Sequence, residues 1–353
     1  MTPIQNKKIK LTEYSSGGGC GCKIPSGTLD KLLSNYNKKF KDKKLLVGNE
    51  NSDDAAVYKI NDSQGIVAST DFFTPIVDNP YDFGRISATN ALSDIYAMGA
   101  KPIFALAILA FPKTKISNDI IKKIMNGGED ICNSAGITIA GGHTIESAEP
   151  IYGLAVVGLI DLKKIRTNSN VANNDLMILT KPLGVGIISA SIKKKKKLNK
   201  DIYREMLSIC TKLNEPGYIL SKRSLINGMT DITGFGLLGH LKEMCVASKK
   251  KAIITYDDIP KIKGVEKLIK ENIYTGASNK NWLNIKNYVE NPKEINNAKK
   301  ILLSDPQTSG GLLMSCTKKN SKEVLSILKK NDFKTSCIIG EFKNSKQPTI
   351  GII

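Results

Sequence analysis

The chain is short of the residues on which most zinc, nucleic-acid and membrane proteins depend. Among its 353 residues are two histidines, His143 and His240, too few for a His-rich zinc site and only two candidates for the base of a Ser-His-Asp triad. Aromatic residues make up 6%, and arginine stands only at positions 85, 166, 204 and 223. The formal charge of +19 therefore comes without the side chains that read bases, and the excess lysine, including "KKKKK" at 193–197, reads as solvated surface. No nucleic-acid partner is expected. Long apolar runs are missing too: "PIFALAILAF" (102–111) and "IYGLAVVGLI" (151–160) reach half the length of a spanning helix and read as buried strands. The opening "MTPIQNKKIKLTEYSSG" has no apolar leader, so a cytoplasmic protein with no membrane partner is expected. Seven cysteines (20, 22, 132, 210, 245, 316 and 337), odd in number and scattered, favour reduced thiols over a disulfide framework. Any metal is expected on carboxylates.

What is present suffices for two domains, each with its own core. "QGIVASTDFF" (64–73) and "PIFALAILAF" read as strands flanking a helix, "FGRISATNALSDIYAMG" (83–99). There Ile86, Leu92, Ile95 and Met98 nearly share one face, interrupted by Asn90 and Ser93. A helix at 117–136 follows, then a short strand "ITIAGGHT" ending in a glycine turn, then the strand "YGLAVVGLI". The polar "LKKIRTNSNVANND" (162–175) reads as a linker. Beyond it come a strand at 176–181, a glycine turn "PLGVG" opening a helix, helical segments through 201–223, and "MTDITGFGLLGHLKEM" (229–244). A strand "KAIITYDD", a turn at Asp305-Pro306, a strand after Gly311, a helix at 319–331 and a strand at 335–342 close the chain. The expected fold class is α/β (α+β): two mixed domains, 49–162 and 175–353, after an N-terminal segment, 1–48, with a glycine-rich loop and a first helix.

In that segment "GGGCGCK" (17–23) sets Cys20, Cys22 and Lys23 among four glycines. Such a run costs conformational entropy, so a mobile reactive loop is expected; a flexible tail with incidental cysteines is the plainer alternative. Aspartates fall at element ends: Asp53 and Asp54 before a strand, Asp71 at the end of another, Asp231 before a glycine turn, with Asp94 inside a helix on its packing face. Magnesium takes one or two carboxylates together with phosphates and water, so aspartates converging on one cleft would suit a magnesium–nucleotide site. Each alone reads as a cap, a turn former or a surface charge. "GFGLLG" (234–239) matches a dinucleotide-binding pattern, with Asp257-Asp258 about twenty residues on, but lacks an apolar strand feeding its first glycine. That turn and "AGGHT" (140–144) could still cradle an anion.

Taken in order, "GCGCK", "DDAAVY", "STDFFTPIVDNPYDFGRISATNALSDIYAMG", "AGGHT", "TDITGFGLLGH" and "DPQTSGGLL" resemble the selenophosphate synthetase (selenide, water dikinase) family, from about residue 9 to the last strand. Aminoimidazole ribonucleotide synthetase and its relatives share the aspartate scheme but not the "GCGCK" start. The resemblance implies a two-domain fold of that superfamily and conversion of ATP, selenide and water to selenophosphate, AMP and orthophosphate. Such a product supplies selenium for selenocysteine and selenonucleosides. It also implies Mg2+, a homodimer with sites near the subunit interface, and a selenium-delivery protein as partner. Cys20 takes the catalytic position, cysteine or selenocysteine in family members, and Lys23 the essential lysine, which also contacts ATP. Asp54, Asp94 and Asp231 match metal ligands, and Asp71 and Asp94 match ATP contacts. Gly142, His143 and Thr144 match a nucleotide-contacting turn. Asn51, Ser52 and Asp53 stand where many bacterial members carry Thr-Arg-Asp, which removes an arginine from that ATP-contacting stretch.

On this reading, charge neutralisation and positioning on one triphosphate do most of the work. Lys23 and nearby N–H groups are expected to lower the Cys20 thiol pKa, and the glycines to let the loop close as a lid. Two other classes remain in play: a soft-metal chelator built on Cys20-x-Cys22, and a nicotinamide-dependent dehydrogenase built on "GFGLLG".

Overall fold

A computed structural model describes residues 9–15, 17–24, 28, 32, 42–196 and 198–353. The helix expected between the glycine-rich loop and residue 48 falls almost wholly outside these residues. In the first half, strands β1 (Leu45–Val47), β2 (Ala56–Lys59) and β3 (Gln64–Phe73) lead into helix α1 (Pro80–Ala97) and β4 (Lys101–Phe111). Helix α2 (Asn118–Ser134), β5 (Thr138–Glu146) and β6 (Ile151–Asp161) follow. The strands form one mixed sheet in the order β1-β2-β3-β6-β4-β5, antiparallel except for the β4–β5 pair, which α2 connects.

Helix α1 starts where Asn79 accepts hydrogen bonds from the Tyr81 and Asp82 N–H groups and Pro80 occupies the first turn. Its mixed composition, which left no clean apolar face, has a physical reason. The helix packs on β3 and β6, on α2 and on elements of the second half, so its polar Asn90, Ser93 and Asp94 are buried along with Ile86, Leu92 and Ile95. The apolar strands differ from expectation in the opposite sense: only the helix side of this sheet is covered. Phe72, Leu106 and Ile145 are 52%, 40% and 58% exposed on the chain as described. The expected glycine turn at 140–144 is also absent, because β5 runs through it. The strand passes Gly142 at φ +156°, where a Cβ would stand 2.1 Å from the Ala107 carbonyl oxygen. The backbone there is bulged rather than turned.

The second half contains β7 (Leu176–Leu179), α3 (Val185–Lys193), α4 (Lys200–Cys210), α5 (Pro216–Lys222), β8 (Met229–Asp231), α6 (Gly236–Ser248) and β9 (Lys250–Ile254). Helices α7 (Val265–Lys270), α8 (Gly276–Ile285) and α9 (Asn297–Leu303) fill a stretch for which the sequence offered no reading. Then come β10 (Leu312–Cys316), α10 (Lys318–Lys330), β11 (Cys337–Asn344) and β12 (Ile350–Ile352). The sheet order is β12-β9-β11-β7-β10-β8. This arrangement removes the dehydrogenase reading: the strand before "GFGLLG", β8, is three residues long and antiparallel to β10, and β9 lies across the sheet from it. A dinucleotide fold needs those two strands parallel in one βαβ unit.

The segment "DPQTS" (305–309) ties this half together. At the start of α3 the Gln307 Oε1 accepts from the Gly184 and Val185 N–H groups, both at 3.1 Å. The Asp305 Oδ2 accepts from Gly186 and Ile187 at 3.0 and 3.3 Å, and from Gln307 Nε2 at 2.8 Å. Donors that a helix start leaves unpaired are therefore all met by one buried turn. Among the described residues no helix is long and apolar enough to cross a membrane. Gln307→Ala strips two buried N–H groups of their acceptor, so chemical denaturation should show roughly 2–4 kcal/mol less stability; a loss under about 0.5 kcal/mol would mean that water replaces the side chain.

Candidate active site

Asp54 lies in the turn before β2, Asp94 late in α1, and Asp231 at the end of β8. These three elements meet where the halves of the chain face each other. One carboxylate oxygen from each comes within 4.8 Å of the other two. Unit charges about 4 Å apart repel by about 4 kcal/mol at an effective dielectric near 20, so three ionised carboxylates cannot share this space uncompensated. The consequence is visible in their acidity. Burial, then the Asp231 charge, holds the Asp54 carboxyl well above its usual range. Burial and the charges of Asp71 and Asp231 do the same to Asp94, and burial raises Asp231.

The remaining hydrogen bonds hold two of these groups in place. Thr230 donates to Asp54 Oδ1 at 2.8 Å, and Ser69 donates to Asp94 Oδ2. The buried Asp231 Oδ2 has no hydrogen-bond partner. Hard oxygen donors on three elements, one of them orphaned, fit a divalent cation such as magnesium. Among the described residues, no thiol or imidazole belongs to this cluster.

Beside it sits the glycine-rich loop, and it is docked. Residues Gly19–Cys22 form one 3-10 turn. Gly19 takes φ +57°, and a Cβ there would fall 2.3 Å from Thr308 Oγ1. The Gly19 N–H donates to the Thr74 carbonyl at 2.9 Å and the Cys20 N–H to Thr308 Oγ1 at 3.2 Å. Cys20 is 2% exposed, and its Sγ donates to Asn90 Oδ1 at 3.2 Å. Asn90 is the hub. Its Oδ1 also accepts from the Ser309 N–H at 2.7 Å, and its Nδ2 donates to Asp71 Oδ2 at 2.7 Å. Asp71 Oδ1 stands 3.7 Å from Lys23 Nζ.

This geometry corrects one expectation. Lys23 does pull the Cys20 thiol pKa down, but burial outweighs it, and Asp71 and Asp231 add to burial, so the thiol is pushed well up. With the loop docked, burial favours the neutral Cys20 thiol over the thiolate. Lys23, paired with Asp71, is held firmly cationic.

Other residues singled out in the sequence stand apart. Asp53 Oδ1 accepts from the Asn168 N–H at 2.7 Å, and Asn168 Nδ2 donates to the carbonyl oxygens of Asn51 and Ser52. That turn is thus stitched to the connection between the halves. Gly142, His143 and Thr144 are exposed on β5, the edge strand; Gly142 shares a cross-sheet row with Ala107, Leu154 and Asp71, three strands and about 14 Å away. Asn90, Thr308 and Ser309 were not nominated as site residues from the sequence, since an amide or hydroxyl in a helix or turn carries no spacing signal. Lys181, 2% exposed, adds a further support: its Nζ donates to the carbonyls of Lys212 and Ser309 at 2.7 and 3.1 Å. Burial pulls its pKa down to about 7.

Comparison with known proteins gives this arrangement a family. Residues 52–160 match the model for the AIR synthase related protein, N-terminal domain, and residues 172–353 that for the C-terminal domain. "Selenide, water dikinase" of Pseudomonas straminea is 51% identical over 336 residues, 95% of this chain and 94% of its own. That of Dechloromonas aromatica (strain RCB) is 47% identical over 350 residues, 99% of this chain and 100% of its own. Among solved structures, thiamine-monophosphate kinase from Stenotrophomonas maltophilia K279a has a TM-score of 0.63 at 15% identity, covering 94% of this chain and 96% of that one. Hydrogenase maturation protein HypE in complex with ATP has a TM-score of 0.62 at 16% identity, covering 95% and 89%. The distant structures share the fold, and the close relatives share the sequence almost end to end: the chain belongs to the selenide, water dikinase family of AIR synthase related proteins.

Proposed function

We propose that this protein is a selenide, water dikinase, converting ATP, selenide and water to selenophosphate, AMP and orthophosphate. The observation that carries the reading is the juxtaposition of the three-carboxylate cluster with the docked Cys20–Asn90–Asp71–Lys23 chain, in a protein about 50% identical to enzymes of that name. Asp54, Asp94 and Asp231 would hold magnesium, which when bound neutralises phosphate charge and orients the triphosphate. Lys23 supplies a cation that moves with the loop, and Asp71 keeps it charged and aimed at the phosphates. Asn90 couples the thiol to the nucleotide side: with the loop closed its Oδ1 fixes Sγ by accepting the thiol's hydrogen bond, and its Nδ2 orients Asp71. The docked loop also covers the cluster, so water reaches the cleaved phosphates in a controlled order. Cys20 handles selenium, a soft anion for which sulfur is the matching ligand; loop opening exposes the thiol and removes the burial that keeps it protonated.

The protein acts in the cytoplasm as a homodimer. Supporting the dimer is the uncovered sheet face carrying Phe72, Leu106 and Ile145, which a second copy would bury. The same contact would put Gly142, His143 and Thr144 at the subunit interface, where a nucleotide role for them becomes geometrically feasible.

Phosphorus NMR of the products should show AMP and orthophosphate, with a third phosphorus species only when selenide is added. ADP as the sole stable nucleotide product would reduce the assignment to a simple kinase. Asp94→Asn and Asp231→Asn keep shape but lose charge, so magnesium–ATP affinity should fall at least roughly tenfold while the melting temperature is kept or raised, since each removes repulsion. Normal magnesium–ATP binding by both variants would misplace the metal site. Cys20→Ser should abolish selenide-dependent AMP formation with nucleotide binding intact, Lys23→Ala should fail likewise, and Cys22→Ser should retain activity. Equal loss in Cys20→Ser and Cys22→Ser, together with soft-metal binding lost in both, would favour a chelator.

A further inference from the structure

The two thiols of the loop face different surroundings. Cys20 is packed inward against Asn90, while Cys22 is exposed, its Sγ 3.6 Å from Thr74 Oγ1. On the outer side of the loop is a cavity of about 680 Å³ whose described walls include Cys22, Lys23, Phe235, Lys193, Lys194 and Lys280. Helix α8 begins in the same wall, so the positive end of its dipole adds to the ammonium groups of Lys193, Lys194 and Lys280, while Lys23 is paired inward with Asp71. Not one Asp or Glu is among the described lining residues. The inner side of the loop has the reverse balance, with Asp54, Asp71, Asp94 and Asp231 around the single cation Lys23. The loop itself is the partition: a Cβ on Gly21 would touch Pro306 and Ala277 at 3.4–3.8 Å, and one on Gly234 would sit 2.4 Å from the Cys20 carbonyl oxygen.

We propose that this cavity is the intake site for the selenium donor, a small anionic compound bearing a soft chalcogen, held against Cys22 across the loop from the phosphate site. The inference rests on the dikinase reading above and gives that activity a place for its second substrate. Three lysines with no carboxylate among the described walls select an anion, and an exposed thiol selects a soft one. The volume lies within the range of small-molecule pockets, roughly 300–1,000 Å³, and is far larger than a bare hydrogen selenide ion requires. Separating the donor from the nucleotide also has an electrostatic reason, since a donor anion and a triphosphate repel when brought together before the loop is ready. Lys193 braces the loop, donating to the Ser15 and Gly17 carbonyls at 2.8 and 3.1 Å, whereas Lys194 donates to the Asn272 carbonyl at 3.2 Å, away from the loop, so the charges to test are Lys194 and Lys280.

(Methylthio)succinate, a small dianionic thioether with no free thiol to consume iodoacetamide, is the probe, with malate and inorganic phosphate as hard anions of comparable charge. Alkylation of Cys22 by iodoacetamide, followed by peptide mass spectrometry, should be slowed several-fold by (methylthio)succinate and little by malate or phosphate. In selenide-dependent AMP formation the probe should compete with selenide and not with magnesium–ATP. The Lys194→Gln/Lys280→Gln protein should lose the protection and need roughly five-fold more selenide at unchanged kcat and unchanged KM for ATP. Equal protection by phosphate would make the cavity a phosphate exit, and competition with ATP would make it part of the nucleotide site. Either result, or an unchanged KM for selenide in the double variant, overturns the proposal. Absence of selenide-dependent AMP formation in the unaltered protein would bring down the dikinase reading instead, leaving the Cys22 protection assay to judge the cavity by itself.

Discussion

Carboxylate repulsion is the constraint around which this protein is organised. Asp54, Asp94 and Asp231 come from a strand-leading turn, a buried helix and the short edge strand of the second sheet, and they meet where the two halves of the chain touch. Charges that close would push the halves apart, so the surroundings answer with donors. Ser69 and Thr230 each give a hydroxyl hydrogen, and Lys23 gives a full charge through Asp71. What these donors leave unmet, notably the orphaned Asp231 Oδ2, is where the proposed cation would bind, and its charge would offset the repulsion.

The "DPQTS" turn carries this logic into the second half. Its Asp305 and Gln307 side chains close the start of α3, while its Thr308 hydroxyl and Ser309 N–H hold Cys20 and Asn90. Ser309 sits at φ +54°, and its carbonyl is pinned by the buried Lys181. A turn anchored from both sides can present two hydrogen-bonding groups rigidly to the loop docked on it.

Much of this was legible in the sequence, though unevenly. The mixed α/β class, the principal strands and the helices around residues 83–99 and 117–136 followed from apolar spacing, because periodicity records which face is buried. The aspartates could be nominated one at a time, but their convergence could not, since Asp54 and Asp231 are 177 positions apart and only the fold brings them together. Asn90 was noticed merely as a flaw in an apolar face. That flaw is the signal: a polar side chain retained on a helix buried all round must be satisfied, and here its partners are the reactive thiol and a carboxylate. The apolar strands misled in one respect, because an apolar run reports that a sheet face is hydrophobic, not that this chain covers it. The glycines of "AGGHT" misled in another: glycine marks unusual backbone, and a bulge needs it as much as a turn does.

The burial of Cys20 also bears on how long the protein survives in an oxidising moment. Oxidants attack thiolates, and they do so at exposed sulfur first. A thiol that is 2% exposed, hydrogen-bonded to an amide and held protonated by its surroundings is a poor target. Its neighbour Cys22, exposed on the same turn, meets any oxidant earlier. The docked conformation therefore works as storage for Cys20: if the loop opens as proposed, the vulnerability of that one sulfur is confined to the open interval, while Cys22 stays the exposed thiol throughout.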